Sequence, residues 1–318
     1  MRFCYNWNMR KDVPLDSLTW FGTGGKAGYL SEPATLEELK NDLAFAAKSG
    51  LPFEVLGEGA NTLVSDEGYP GMIIHPVNSE LKLTEQEDCF LLEAGAGAKM
   101  QDVIDYALDH KALGLEEFSG LPGTVGGAAF INAHFFEFFL ADFLVSAVVV
   151  SPSGETKEVD KDWFEYGYDV SRLHREKWIV WGAVFRLKKG SELEAAFAKG
   201  RSFEIIRQRA RRYPKERTCG SFFRNFLPEE VCGKVPSVAF YLDKIGVKGT
   251  LSKGQAVVSR KHANMLETRE GATSADVIAL AREMQKLVYK NFGLVPVPEC
   301  RFLGFPSFPL YTKDTIDG

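Results

Sequence analysis

Hydrophobic and polar positions along the chain alternate between two periods. In TLEELKNDLAFAAKSG, Leu36, Leu39 and Leu43 share one helical face, Thr35 and Glu38 have capping-box spacing, and Gly50 follows the last periodic residue, so residues 35–50 predict a capped helix. The same period predicts helices over 99–113, 191–212, 236–245 and 273–292, the last with Val277, Leu280, Ala281, Met284, Leu287 and Val288 spaced for one face and Gly293 as its stop. Short β-branched or apolar runs predict strands at 52–56, 72–75, 89–93, 144–150, 178–187 and 254–258, and a further strand around Glu299. Residues 151–154, SPSG, predict a hairpin turn answered by 157–159. Strands and helices mix without a regular βαβ rhythm, which predicts α+β layers.

Glycine interrupts this pattern in three places. Gly22, Gly24 and Gly25 separate two apolar stretches. The strand at 52–56 runs straight into Gly57, Glu58, Gly59, Ala60, Asn61 and Thr62. This is a poor Rossmann fingerprint: the third glycine is missing, and Asp66, Gly68 and Pro70 punctuate the place where the helix belongs. The third and longest run holds Gly120, Pro122, Gly123, Thr124, Gly126, Gly127 and Ala128. Glycine permits positive φ and close backbone approach, and proline stiffens the loop, so these runs predict rigid loops whose N–H groups face an anion such as a diphosphate. A set of tight turns with no ligand fits each run equally well. The apolar stretch after residue 128 is not a membrane span, because Asn132, His134, Glu137 and Asp142 interrupt it and a span needs about 20 mostly apolar residues.

Bulk properties narrow the classes. The 318 residues allow two or three domains at about 100–200 residues each. With 45% apolar and 25% charged residues, a core can be buried. The net charge of -5 argues against a nucleic-acid partner. The five cysteines are scattered without a CxxC pair, which predicts neither a zinc site nor a disulfide framework and fits a reducing cytoplasm. His262 and Asn264 lack neighbours at metal spacing, so they read as structural or cofactor-side groups. Cys219 reads as an inert thiol, since no histidine stands out as its base.

Six stretches in one order carry a resemblance: LGEGANTLVSDEGYPG, AGAGAKMQDVIDYA, GLPGTVGGAAFINA, CGSFFRN, GVKGTLSKGQAVVSRKHAN and VPECRFLG. Together they resemble the UDP-N-acetylenolpyruvoylglucosamine reductases (UDP-N-acetylmuramate dehydrogenases) of peptidoglycan synthesis, from about residue 18 to 304. The absence of the tyrosine-bearing insertion in the third domain resembles the shorter, type II form. The resemblance implies a two-part FAD-binding region of the vanillyl-alcohol-oxidase type and a C-terminal α+β substrate domain. The expected bounds are 1–80 and 81–200 for the FAD-binding parts, with strand 295–305 returning to the first, then 201–294 for substrate and 306–318 as a tail.

The implied chemistry is a flavin reduced by NADPH that then delivers hydride to the enolpyruvyl double bond of the UDP-sugar. By this resemblance Ser221 is the proton donor, Glu299 steadies the enol-like intermediate, and Arg224 and Asn225 stand where a Lys-Asn pair contacts substrate. The two glycine runs at 57–62 and 120–128 hold FAD. Elementary chemistry is compatible with these roles: a serine is a useful acid only toward a strongly basic carbanion, and an apolar setting favours a protonated Glu299. No membrane insertion is expected, and a monomer is favoured.

Two departures stand out. Where the family has arginine after tyrosine, this chain has Asp169, whose negative charge opposes an enolate; Arg172 or Arg175 is then the expected substitute. After Asn132, bulky Ala133-His134-Phe135-Phe136-Glu137 replaces a small, glycine-rich segment. These departures keep two other readings open. One is an FAD-linked oxidoreductase acting on another substrate, with His134 as the candidate for covalent flavin attachment. The other is a weakened relative that binds UDP-sugar or FAD without turnover.

Overall fold

The computed structural model describes residues 9–135, 137–167 and 170–317. Asp169 and Phe136, singled out above, lie outside the described residues. The chain divides into two compact units, each discontinuous in sequence.

The first unit comprises Met1–Asp12, Gly28–Glu58 and Gly71–Gln208. Its smaller sheet has the strand order Arg10–Pro14, Lys26–Ser31, Tyr69–Ile74, Phe53–Val55, with the last two parallel. The helix Leu36–Ser49 begins on the predicted Thr35/Glu38 capping box and ends at Gly50 in the left-handed conformation. It buries Leu39, Leu43 and Ala46 in one cluster with Met72 and Ile74 of the sheet. The larger, antiparallel sheet runs Thr156–Asp160, Leu144–Val150, Ile179–Lys189, Cys89–Gly95, Leu81–Glu85. The SPSG turn closes as expected, Gly154 N–H donating to Ser151 at 2.9 Å. Under this sheet, Val103, Ile104, Ala107 and Leu108 of the helix Met100–Asp109 share a core with Val125, Ala128 and Ala129.

The helix expected over 99–113 is shorter. Lys111 takes a left-handed φ of 61°, which ends the helical bonding, and Ala112–Leu113 pairs instead with Lys188 and Lys189. The apolar pair at the end of the periodic run is buried by a sheet, which helical spacing does not reveal.

The second unit comprises Val13–Ala27, Gly59–Pro70 and Arg209–Gly318. A three-stranded antiparallel sheet, Ser252–Lys253, Ala256–Val258 and Leu266–Thr268, shares a core with the helices Val238–Ile245 and Ser274–Phe292. The strand expected over 254–258 is a hairpin here: Gly254, at φ 51°, sits in the turn. Asp66 accepts hydrogen bonds from the N–H groups of Ser274 and Ala275 at 2.7 and 2.9 Å, placing a carboxylate at the positive end of the long helix. Arg301–Leu303 pairs in parallel with Thr62–Val64. No helix among the described residues is long and apolar enough to cross a membrane.

Candidate active site

The segments carrying Ser221 and Glu299 meet in the second unit, around the backbone of Phe222. Phe222 donates its N–H to the Asn264 carbonyl at 2.8 Å, and its own carbonyl accepts from the N–H of Glu299 at 2.9 Å. Two residues further on, Arg224 N–H donates to the Val297 carbonyl at 3.0 Å. Ser221 pairs with Met265 on one side, and Phe223 with Pro298 on the other. The segment carrying Ser221 thus bridges the KHAN turn and the segment carrying Glu299. Phe222 and Phe223 bury their rings and drive this placement, leaving Ser221 half-buried. Among the described residues, the Ser221 hydroxyl makes no hydrogen bond.

The side chain of Asn264 locks the strand. Its amide donates to the Phe223 carbonyl at 2.7 Å and its amide oxygen accepts from Phe223 N–H at 3.2 Å. A buried amide that meets both backbone groups of one residue acts like a neighbouring strand. Asn264 N–H in turn donates to Nδ1 of His262 at 3.3 Å. Burial holds the His262 imidazole below its usual pKa. These two residues are structural, and among the described residues there is no His/Cys/Asp/Glu group that could hold a metal.

Cys219 stands two residues before Ser221. Burial, and then the neighbouring Cys300 thiol and Glu299, push its pKa well above the ordinary thiol value. A protonated thiol is a poor nucleophile, which agrees with an inert role.

The first glycine run adjoins this cluster. Asn61 donates its side-chain N–H to the Glu299 carbonyl at 3.3 Å and accepts from Arg301 N–H on its own carbonyl at 3.1 Å. Its amide oxygen is buried without a partner. Along residues 57–61, none of the backbone N–H groups finds an acceptor among the described residues. A run of consecutive unsatisfied donors beside a buried unsatisfied oxygen is what an anionic, hydrogen-bonding group such as a dinucleotide would complete. No long helix follows, as the punctuation predicted; the strand Thr62–Val64 does, which the expected strands do not include.

The longer run behaves differently. The expectation of several free N–H groups over 120–128 is corrected by where those groups point. Gly120 donates to Gln101, Leu121 to Phe118, Gly123 to Glu58, Val125 to Ala98, Gly126 to Ala96, Gly127 to Thr124 and Ala128 to Thr124. Of its glycines, Gly126 serves close packing, since a Cβ there would stand 3.1 Å from that of Ala96; in the first run, one on Gly57 would stand 2.7 Å from Thr124 Oγ1. Glu58, at 2.7 Å from Gly123 N and 3.5 Å from Lys99 Nζ, ties the two runs together. The loop is braced by these bonds, most of them to partners outside it.

Arg172 belongs to the first unit. Its guanidinium pairs with Glu165, approaches Glu176 at 3.6 Å and stacks 4.9 Å from the Trp163 ring centroid, while its Nε is buried with no acceptor. Arg175 also pairs with Glu165. Arg224 is held by both oxygens of Glu230, at 2.8 and 2.9 Å. Asn225 beside it is exposed. The hairpin His134–Phe135/Phe138–Phe139 stacks His134 on Phe139, with ring centroids 5.4 Å apart.

Asn264, read from its KHAN setting as a structural or cofactor-side group, takes the structural part here. Glu230 shapes the geometry without standing out in the sequence; its one signal is its place three residues into LPEE, where a first-turn acid caps a helix.

Comparison with known proteins shows the family. Residues 27–160 match the FAD binding domain family, and residues 212–303 match the C-terminal domain of UDP-N-acetylenolpyruvoylglucosamine reductase. A UDP-N-acetylenolpyruvoylglucosamine reductase of Caldicellulosiruptor saccharolyticus is 32% identical over 305 residues, which span 96% of this chain and 95% of the relative. One from Agathobacter rectalis is 33% identical over 92% of this chain and 93% of its own. The crystal structure of the reductase from Thermus caldophilus superposes with a TM-score of 0.75 at 28% identity, covering 93% of this chain and 99% of that one. With identity at this level along nearly its whole length, the chain belongs to the UDP-N-acetylenolpyruvoylglucosamine reductase family.

Proposed function

We propose that the protein reduces UDP-N-acetylglucosamine enolpyruvate to UDP-N-acetylmuramate with NADPH, through bound FAD, in the synthesis of peptidoglycan precursors. The observation that supports this reading is the bonding around Phe222, which joins the segment of the half-buried, unengaged Ser221 to the segment bearing Glu299, whose carbonyl in turn accepts from Asn61 at the end of the run of N–H groups without acceptors. FAD, when bound, would accept a hydride from NADPH and return one to the enolpyruvyl double bond.

The chain's own groups do the rest. Residues 57–61 offer N–H donors to the cofactor's diphosphate, and the rigid loop at 120–128 supports them through Glu58. Ser221 gives its proton to the carbon next to the hydride acceptor, and Glu299 stabilises the charge on the carboxyl-bearing side. Asn225 presents its exposed amide to the substrate, with Arg224 setting its position. Arg172 supplies the positive charge that the family's arginine provides. Replacing Arg172 by alanine should slow substrate reduction by about 10²–10³ while leaving flavin reduction unchanged; an unchanged single-turnover rate removes it from the site. On this reading the protein acts in the cytoplasm on a UDP-sugar, as a monomer and without a nucleic-acid partner.

Purified protein mixed with FAD and NADPH should oxidise the nicotinamide only when the enolpyruvyl sugar nucleotide is added, as followed by loss of nicotinamide absorbance. Substrate-independent oxidation points to an oxidase, and bound flavin without turnover to a weakened relative.

A further inference from the structure

Residues 224–230, just beyond the Ser221 strand, are closed by one carboxylate. Glu230 holds Arg224 by both oxygens, at 2.8 and 2.9 Å, with side-chain exposures of only 14% and 21%. One of those oxygens also accepts from Leu227 N–H at 2.7 Å. Arg224 reaches back from the same guanidinium nitrogen to the Asn225 carbonyl at 2.9 Å. The residues on either side of Asn225 are bonded independently: Arg224 N–H to the Val297 carbonyl at 3.0 Å, and Phe226 N–H to the Pro236 carbonyl at 2.8 Å. Asn225 is exposed, between the half-buried Arg224 and the buried Phe226 whose N–H groups are both bonded. Its own side chain makes no hydrogen bond among the described residues.

We propose that Glu230 is a positioning residue: by clamping Arg224 and the Leu227 amide it fixes the direction of the Asn225 amide and so sets the affinity for the sugar nucleotide. The proposal rests on the reading of Asn225 as a substrate contact. An arginine fits this task where a lysine would not, because its planar fork takes both carboxylate oxygens while a third N–H reaches the Asn225 carbonyl. A lysine at 224 would give the clamp a single point and let the loop swing. The arginine thus trades a direct charge on the ligand for a rigid loop. The Arg224 guanidinium holds the Glu230 carboxyl below the usual carboxylate range, so the pair stays charged at neutral pH.

The test uses the FAD-loaded protein. Glu230→Gln puts an NH₂ against the guanidinium in place of one acceptor and breaks the two-point grip. KM for the enolpyruvyl sugar nucleotide should rise about tenfold, the loss of one charge-assisted hydrogen bond, with kcat and flavin reduction by NADPH held within about threefold. Arg224→Gln should do the same, and the double variant should be no worse than either single change, since both break one clamp. Arg224→Lys should fall between wild type and these variants. Should Glu230→Gln fail to fold, Glu230→Asp, too short to serve both partners, takes its place. Calorimetric binding of the sugar nucleotide gives the same comparison without turnover, so a wild type that binds but does not react counts against the proposed function and not against the clamp. An unchanged KM and affinity in a folded variant overturns the proposal. So does a parallel loss of melting temperature, flavin reduction and affinity, which marks a purely structural bond.

Discussion

Replacing Ser221 by alanine should leave reduction of the bound flavin by NADPH close to the wild-type rate and reduce formation of UDP-N-acetylmuramate by about 10²–10⁴, the range for losing a positioned general acid. The split follows from the geometry. The Ser221 backbone is held by Met265, and its neighbours Phe222 and Phe223 by Asn264 and the 297–299 segment; the hydroxyl takes part in none of these bonds. Alanine keeps every backbone bond and removes only the oxygen. Flavin binding, which the proposal assigns to residues 57–61 and their surroundings, should be untouched. Stopped-flow absorbance separates the two half-reactions. Equal losses in both would remove Ser221 as the proton donor. Measuring solvent-deuterium incorporation at the protonated carbon adds a second check: a residual reaction protonated from bulk water should lose facial selectivity.

Local signals made much of the fold legible. Thr35 with Glu38 and Thr273 with Asp276 cap their helices, and Gly50, Gly246 and Gly293 stop theirs in the left-handed conformation, because capping and positive φ are settled by a few adjacent residues. The hairpin at 151–154 is local in the same way. What escaped the pattern depends on partners distant in sequence. Ala112–Leu113 became a strand because Lys188 and Lys189 lie beside it. The N–H groups of 120–128 were spoken for by Ala96, Ala98, Gln101 and Glu58, which spacing within the loop cannot reveal. At the site, Ser221 and Glu299 stood out only together with the six stretches that carry the family resemblance. Taken singly, each reads as a loop serine and a strand acid. Their adjacency rests on the Phe222 carbonyl, a backbone group that leaves no trace in the sequence. Glu230 escaped because its partner is an arginine at a position where the resemblance pointed to a substrate contact.

The glycine at 59 offers the harshest test of the backbone on which the cofactor reading depends. Gly59→Ala should yield protein that melts at a clearly lower temperature and loses FAD on dilution. Gly59 has a φ of 66°, and an added Cβ would stand 2.0 Å from the Leu18 carbonyl oxygen and 2.8 Å from Thr19 Cα. The left-handed conformation alone costs a residue with a Cβ roughly 1–3 kcal/mol. The overlap adds to this, because both obstacles are backbone and cannot rotate away. The segment must move, and Gly59 also accepts from Trp20 N–H at 3.1 Å, so that bond goes with it. At about 2–4 °C per kcal/mol for a unit of this size, the shift is well within the reach of calorimetry. Gly200→Ala is the matched control. Gly200 lies inside the helix Glu192–Arg212, with nothing within 4 Å of an added Cβ. Alanine there should stabilise by up to about 1 kcal/mol and leave flavin binding alone. If Gly59→Ala retains FAD and melts like the wild type, residues 57–61 are not the close-packed cradle described here, and the N–H groups left without acceptors require another explanation.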